Sequence, residues 1–228
     1  MIGIFDSGVG GLTALCEVRR LLPKADVTYL ADRENAPYGT KNEEEILCYV
    51  KRNLQRLRAL GAQRILIACC TASTLYSRLT PEEREISVPI IVPAARAAAN
   101  ATENGKIAII ATRATVRSRA FSRAISAEHG KYKTLECDAQ ALVGMVEEGA
   151  RGSEPLSSAD ARVLSEILRP VGSFGADTLI LGCTHFPHIK EHIAMLLPGV
   201  NLISPSLEGA LELAKSTVPD ENGRTVYL

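Results

Sequence analysis

With 228 residues, of which 46% are hydrophobic, 23% charged and 4% aromatic, the chain can bury a substantial core in one large domain or two smaller ones, which excludes a disordered segment. Lys plus Arg, at 26, equals Asp plus Glu, so no net field points to nucleic acid or an anionic membrane, and a small-molecule ligand is expected. The opening MIGIFDSG lacks the basic and apolar regions of a secretory signal, no uncharged stretch reaches membrane-spanning length, and six cysteines are too few for a disulfide scaffold.

Short apolar runs alternate with longer amphipathic stretches along the whole chain. Strands are predicted at Ile2–Phe5, Val27–Leu30, Arg64–Ala68, Ile90–Val92, Lys106–Ala111, Lys133–Cys137, Thr178–Leu181 and Asn201–Ile203. Between them, helices are predicted over Gly11–Leu22, Glu43–Leu60, Ala72–Leu79, Ala94–Thr102, Thr115–Glu128, Ala139–Gly149, Ser158–Leu168, His188–Leu196 and Leu207–Ser216. Pro23, Pro81, Pro170 and Pro198 punctuate helix ends, and Pro81–Pro89 and Gly149–Pro155 read as linkers. This alternation builds mainly parallel sheets covered by helices, so the fold class is α/β. A reducing, cytoplasmic compartment is expected, with Cys16, Cys48 and Cys137 as small buried hydrophobes.

Two predicted strands end alike. Ile65–Thr71 reads ILIACCT and Leu179–Thr184 reads LILGCT, with Cys69 and Cys183 separated by 114 residues, half of the chain. Ligands of open α/β sheets bind beyond the carboxyl ends of the strands, so two similar halves facing one another would bring both thiols to one cleft. A matched pair of thiols suits proton transfer at a carbon centre, where one base removes a proton and one acid returns it from the opposite face. A free thiol is partly ionised near pH 8.5, and Thr71, Thr184 and the following helix N-termini favour the thiolate. His185 is placed to assist Cys183, and Asp6 to assist Cys69.

Other chemistries weigh less. The loop Asp6–Gly11 follows a strand and precedes a helix, as an anion-binding turn does, but Thr13 occupies the third glycine of a dinucleotide fingerprint and no P-loop triplet occurs. His185, His188 and His192 share one stretch without the glutamate of a zinc protease, so no metal is expected. A hydrolase with one Cys–His pair leaves the second matched cysteine unexplained.

The longer motifs carry a family resemblance. GIFDSGVGGLT (Gly3–Thr13), YLADRENAPYGTK (Tyr29–Lys41), IACCTAS (Ile67–Ser73), ATRATVRSRAF (Ala111–Phe121), MVEEG (Met145–Gly149) and LGCTHFP (Leu181–Pro187) together resemble the aspartate/glutamate racemase superfamily, and within it the glutamate racemase branch. The resemblance runs nearly end to end. It implies two pseudosymmetric α/β domains, here residues 1–92 with 206–228 and residues 93–205, with the active site in the cleft between them. It further implies cofactor-independent racemisation of L- and D-glutamate, a supply of D-glutamate for peptidoglycan, and a homodimer. Carried over by position, Cys69 and Cys183 are the acid–base pair and Asp6 and His185 assist them. Ser7, Pro37, Tyr38, Gly39, Cys70, Thr71, Thr112, Thr115 and Thr184 contact substrate, and Asp32 and Glu147 match further family carboxylates.

Three departures bear on substrate. Cys70 stands where the family's Ala-Cys-Asn-Thr motif has its amide, Val92-Pro93-Ala94 replaces Glu-Pro-Gly, and Cys137–Met145 departs from the proline-flanked run. A sister activity on aspartate or a hydantoin therefore stays open, as does a binding protein without turnover.

Overall fold

The computed structural model describes residues 1–216 and 222–228. The first half runs β1 (Ile2–Asp6), α1 (Leu12–Leu21), β2 (Val27–Ala31), α2 (Glu43–Ala59), β3 (Arg64–Ile67), α3 (Cys70–Ser73), α4 (Pro81–Ile86), β4 (Ser87–Pro89) and α5 (Ile91–Ala101). The second runs β5 (Lys106–Ala111), α6 (Arg113–Ser118), α7 (Ala120–Ser126), β6 (Lys133–Asp138), α8 (Ala141–Glu147), α9 (Ser158–Phe174), β7 (Thr178–Gly182), α10 (Lys190–Leu196) and β8 (Asn201–Ile203). Helix α11 (Pro205–Lys215) and strand β9 (Thr225–Tyr227) then return to the first sheet, where α11 packs on α1 and β9 pairs with β2.

Both sheets are parallel, with strand orders β4-β3-β1-β2-β9 and β6-β5-β7-β8. Read from its other edge, the second order β8-β7-β5-β6 repeats β4-β3-β1-β2, so β3 and β7 hold equivalent places. The repeated Cys-Thr pairs follow those two strands. The α/β class and the two-sheet architecture are those predicted.

The strands read as near-continuous apolar runs because they are covered on both faces. Ile65 and Ile67 face α2, while Leu66 joins an apolar cluster that continues from Ile2 and Ile4 through α5 and α11 to Ile107, Ile109 and Ile180 of the second sheet. One core therefore binds the two sheets together. Each fully buried Ile or Leu contributes about 1.5–3 kcal/mol relative to exposure. Ala108, Ile110, Leu179 and Leu181 face outward instead, under α8, α9 and α10. None of the described helices is long and apolar enough to cross a membrane.

Several local expectations are corrected. The fourth strand lies at Ser87–Pro89 rather than Ile90–Val92, because Pro89 lacks the N–H that would extend the ladder and Ile90 and Ile91 are buried at the start of α5. Pro93 is tolerated in the first turn of that helix. The predicted linker Pro81–Pro89 contains α4, whose capping box joins Thr80 and Glu83. The predicted helix Ala72–Leu79 is a four-residue helix followed by a 3-10 turn at Tyr76–Arg78. There Ser73 bonds the carbonyl of Ile67 and Thr74 that of Thr71, and these bonds compete with continuation.

The predicted helix Thr115–Glu128 is broken at Arg119, which adopts φ 55°. Conversely α9 passes through Pro170 to Phe174, since its buried stripe Leu164, Leu168 and Val171 continues, and Gly175 ends it at φ 71°. Strand β9 is too short for a sequence pattern to show. Cys16 and Cys48 are exposed and Cys137 is half-buried, not core, because the first two fall off the apolar stripes of α1 and α2.

Candidate active site

Four strands deliver the site at their carboxyl ends. Cys69 follows β3, Cys183 follows β7, Asp6 ends β1 and Thr112 follows β5. Cys69 and Cys183 are 5% and 8% exposed and line one cavity of about 40 Å³. That space holds no more than about three water molecules. Ser7, Pro37, Tyr38, Gly39, Cys70, Thr71, Thr112, Thr184, His185 and Glu147 line it as well, so the structure gathers most of the residues singled out from the sequence.

The two thiols have different neighbours. The Cys69 thiol donates to the Ser7 hydroxyl at 3.4 Å, whereas the Cys183 sulfur lies 3.6 Å from His185 Nδ1. His185 Nε2 is 3.2 Å from Glu147 Oε1, an ion-pair distance without hydrogen-bond alignment. Burial pushes both thiols up, Cys69 to about 11 and Cys183 further. The negative charge of Asp6 adds to the shift at Cys69, and the Ser7 hydroxyl opposes it.

Asp6 is fully buried. Its Oδ2 accepts the amides of Gly8 and Gly11, and its Oδ1 accepts the Thr184 hydroxyl from the other half at 3.4 Å. Its hydrogen bonds thus brace the glycine turn and the Cys183 strand end rather than Cys69. Burial raises its carboxyl pKa, against the opposing charge of His185 and the loop amides. Gly10 has to be glycine, since a Cβ there would sit 2.5 Å from His185 Nδ1 and 2.6 Å from Thr184 Oγ1. The two halves meet without room for a methyl group.

A second contact between the halves is a triangle of hydroxyls. Thr71 Oγ1 lies 2.9 Å from Thr112 Oγ1 and 3.2 Å from Thr115 Oγ1, and the latter two are 2.9 Å apart. Thr115 is fully buried behind the cavity wall, so its place is to hold the other two.

Asp32 also stands behind the wall. It accepts hydrogen bonds from the Tyr38 hydroxyl, Asn35, Asn53 and Arg52. Burial alone would raise its pKa, but these donors and the Arg52 charge hold it below the usual carboxylate value. Through Tyr38 the network anchors the segment Pro37–Gly39, which lines the cavity.

Sequence reasoning missed Gln140 and Val143, which also line the cavity. They fall inside Cys137–Met145, where the register against known motifs was open, and no local signal marks either one.

Two buried thiols at equivalent strand ends of two parallel sheets line one cavity, the arrangement expected of a racemase on an α/β frame. The model of the Asp/Glu/hydantoin racemase family matches residues 14–213, and the chain belongs to that family and is an amino-acid racemase. It is 38% identical over 227 residues to a curated glutamate racemase of Gloeobacter violaceus, covering 99% of this chain and 83% of that one. Among solved structures, it is similar to a glutamate racemase of Francisella tularensis in complex with D-glutamate, with TM-score 0.88 and 30% identity over 99% of this chain and 86% of that one. A Bacillus anthracis glutamate racemase superposes with TM-score 0.86 at 30% identity, covering 100% of this chain and 86% of that one.

Proposed function

We propose that the chain interconverts L-glutamate and D-glutamate by passing the Cα proton between Cys69 and Cys183, without a cofactor. In a bacterial cytoplasm it would supply D-glutamate for peptidoglycan, and its six free cysteines fit a reducing compartment. The observation that carries this reading is that two buried thiols, at equivalent places in the repeated strand order, line one cavity. The glutamate specificity rests on the relatives named above, among them a structure holding D-glutamate.

The chemistry is symmetric. One thiolate takes the proton from Cα and leaves a carbanion stabilised by the adjacent carboxyl group. The opposed thiol then gives its proton to the other face, and the pair ends with thiol and thiolate exchanged, ready for the reverse reaction. Since enantiomers have equal free energy, the equilibrium constant is unity and all catalysis lies in the transition state. Raised thiol pKa values make the thiolates stronger bases toward a weakly acidic Cα–H, at the cost of a smaller ionised fraction.

Within this reading His185 assists Cys183, and Ser7 and Asp6 tune the Cys69 side. Thr71, Thr112, Thr184, Cys70 and the backbone of Pro37–Gly39 meet the substrate's carboxylates and ammonium. Thr115, Asp32 and Glu147 act through these neighbours. A dicarboxylic amino acid exceeds a cavity of about 40 Å³, so in this reading the halves part to admit it and draw together to exclude water.

Deuterium exchange at Cα, followed by NMR in deuterated water with L-glutamate, D-glutamate and L-aspartate, tests the proposal on the native chain and on Cys69→Ala and Cys183→Ala. Exchange with glutamate that is lost in both variants is expected. Exchange with aspartate alone moves the chain to a sister activity, and binding without any exchange removes the catalytic reading.

A further inference from the structure

Gln140 brings to the cavity a carboxamide whose oxygen has no hydrogen-bond partner among the described residues. It stands between β6 and α8, where Asp138 Oδ1 accepts its backbone N–H at 3.0 Å and Arg113 in turn holds Asp138. The side-chain Oε1 is buried and accepts no hydrogen bond. It presses on the opposite half so closely that a Cβ on Gly39 would lie 2.4 Å from it. A buried amide oxygen without a donor is costly, and in a ligand site the missing donor is what a ligand supplies.

Among the side-chain acceptors near the cavity, Asp6 takes two amides and a hydroxyl and Thr71 and Thr112 share their hydroxyls, whereas Glu147 is half exposed beside His185. Cys70 offers only a thiol, a weak acceptor. An α-amino acid arrives with three ammonium N–H donors. We infer that Gln140 is a substrate-binding residue whose carboxamide oxygen accepts a hydrogen bond from the α-ammonium of the bound amino acid, orienting Cα–H between Cys69 and Cys183. This inference rests on the racemase reading above. It adds a contact from the half that carries Cys183.

The test compares two ligands that differ only in the amino group. Binding of D-glutamate and of glutarate is measured by calorimetry on the native chain, Gln140→Ala and the near-isosteric Gln140→Met, alongside Cα exchange. Both variants are expected to weaken glutamate by about tenfold or more, a charge-assisted hydrogen bond, and to leave glutarate within about twofold. The kinetic loss should fall on KM more than on kcat. Unchanged glutamate binding in both variants, with native exchange intact, overturns the inference alone. Parallel weakening of glutarate also overturns it, because the amide then serves a carboxylate or cleft closure. A native chain that exchanges no amino acid overturns the racemase reading and this inference together.

Discussion

His185 Nδ1 lies 3.6 Å from the Cys183 sulfur, with both residues buried, while Cys69 faces a serine hydroxyl instead. The asymmetry has a kinetic signature. With an equilibrium constant of unity, any substitution lowers kcat/KM equally in both directions, but kcat and KM separately are free to differ. His185→Asn is expected to lower kcat/KM by about 10²-fold in each direction, with unequal kcat losses, measured by circular dichroism from each pure enantiomer. Equal kcat losses would show that His185 does not act through Cys183.

The raised thiol pKa values predict a pH response. Alkylation of Cys69 by iodoacetamide, mapped by mass spectrometry, should rise about tenfold per pH unit through the neutral and mildly alkaline range, levelling off near pH 11, with Cys183 slower throughout. The sign for stability is opposite. The folded thiol keeps its proton to higher pH than the unfolded one, which titrates near 8.5, so each thiol's burial stabilises below that value and the contribution is lost as pH climbs through the folded pKa. Urea denaturation should show stability falling from about pH 8.5 to about pH 11.

Gly10→Ala places a methyl group where His185 and Thr184 approach to 2.5 Å and 2.6 Å. The halves must part locally, and overpacking of this kind costs about 1–3 kcal/mol. We expect a lower melting temperature together with a fall in kcat, since His185 is displaced from Cys183. Native melting with native kcat would mean that the cleft closes differently in turnover.

Asp32→Asn leaves the Tyr38 hydroxyl, Asn53 and Arg52 pointing at an added donor. A loss of about 1–3 kcal/mol is expected at neutral pH, with KM raised because Pro37–Gly39 loosens. Asp32 is held below its ordinary value of 3.8, so its charge stabilises above that pH and the advantage is lost as pH falls through the lower folded pKa. Denaturation curves of native and variant protein should converge below about pH 4. A constant gap there would assign the effect to packing.

Much of the site was legible because it is local. Strand, Cys-Thr and helix start are contiguous in sequence, so Cys69, Thr71, Cys183, Thr184 and His185 could be placed at strand ends without knowing the fold. Asp6 was expected on the Cys69 side, where its charge acts on the thiol, but its hydrogen bonds run to its own loop and to Thr184, a residue 178 positions away. Thr115, expected to contact substrate, lies behind the cavity wall, as does Asp32, which was expected only as a further family carboxylate. Helix boundaries failed where side chains compete with the backbone, as at Ser73 and Thr74, or where packing overrides a breaker, as at Pro170.

By itself the sequence determined the α/β class, the duplicated Cys-Thr strand ends and the two cysteines proposed as the acid–base pair, because apolar periodicity and short motifs are properties of neighbouring residues. Only the tertiary structure decided which groups face one another across the cleft: Gly10 against His185, Gly39 against Gln140, Thr71 against Thr112 and Thr115. Those contacts depend on how two sheets are oriented around a shared core of α5 and α11, and that orientation is set by the summed packing of many buried side chains, which no single segment of the chain encodes.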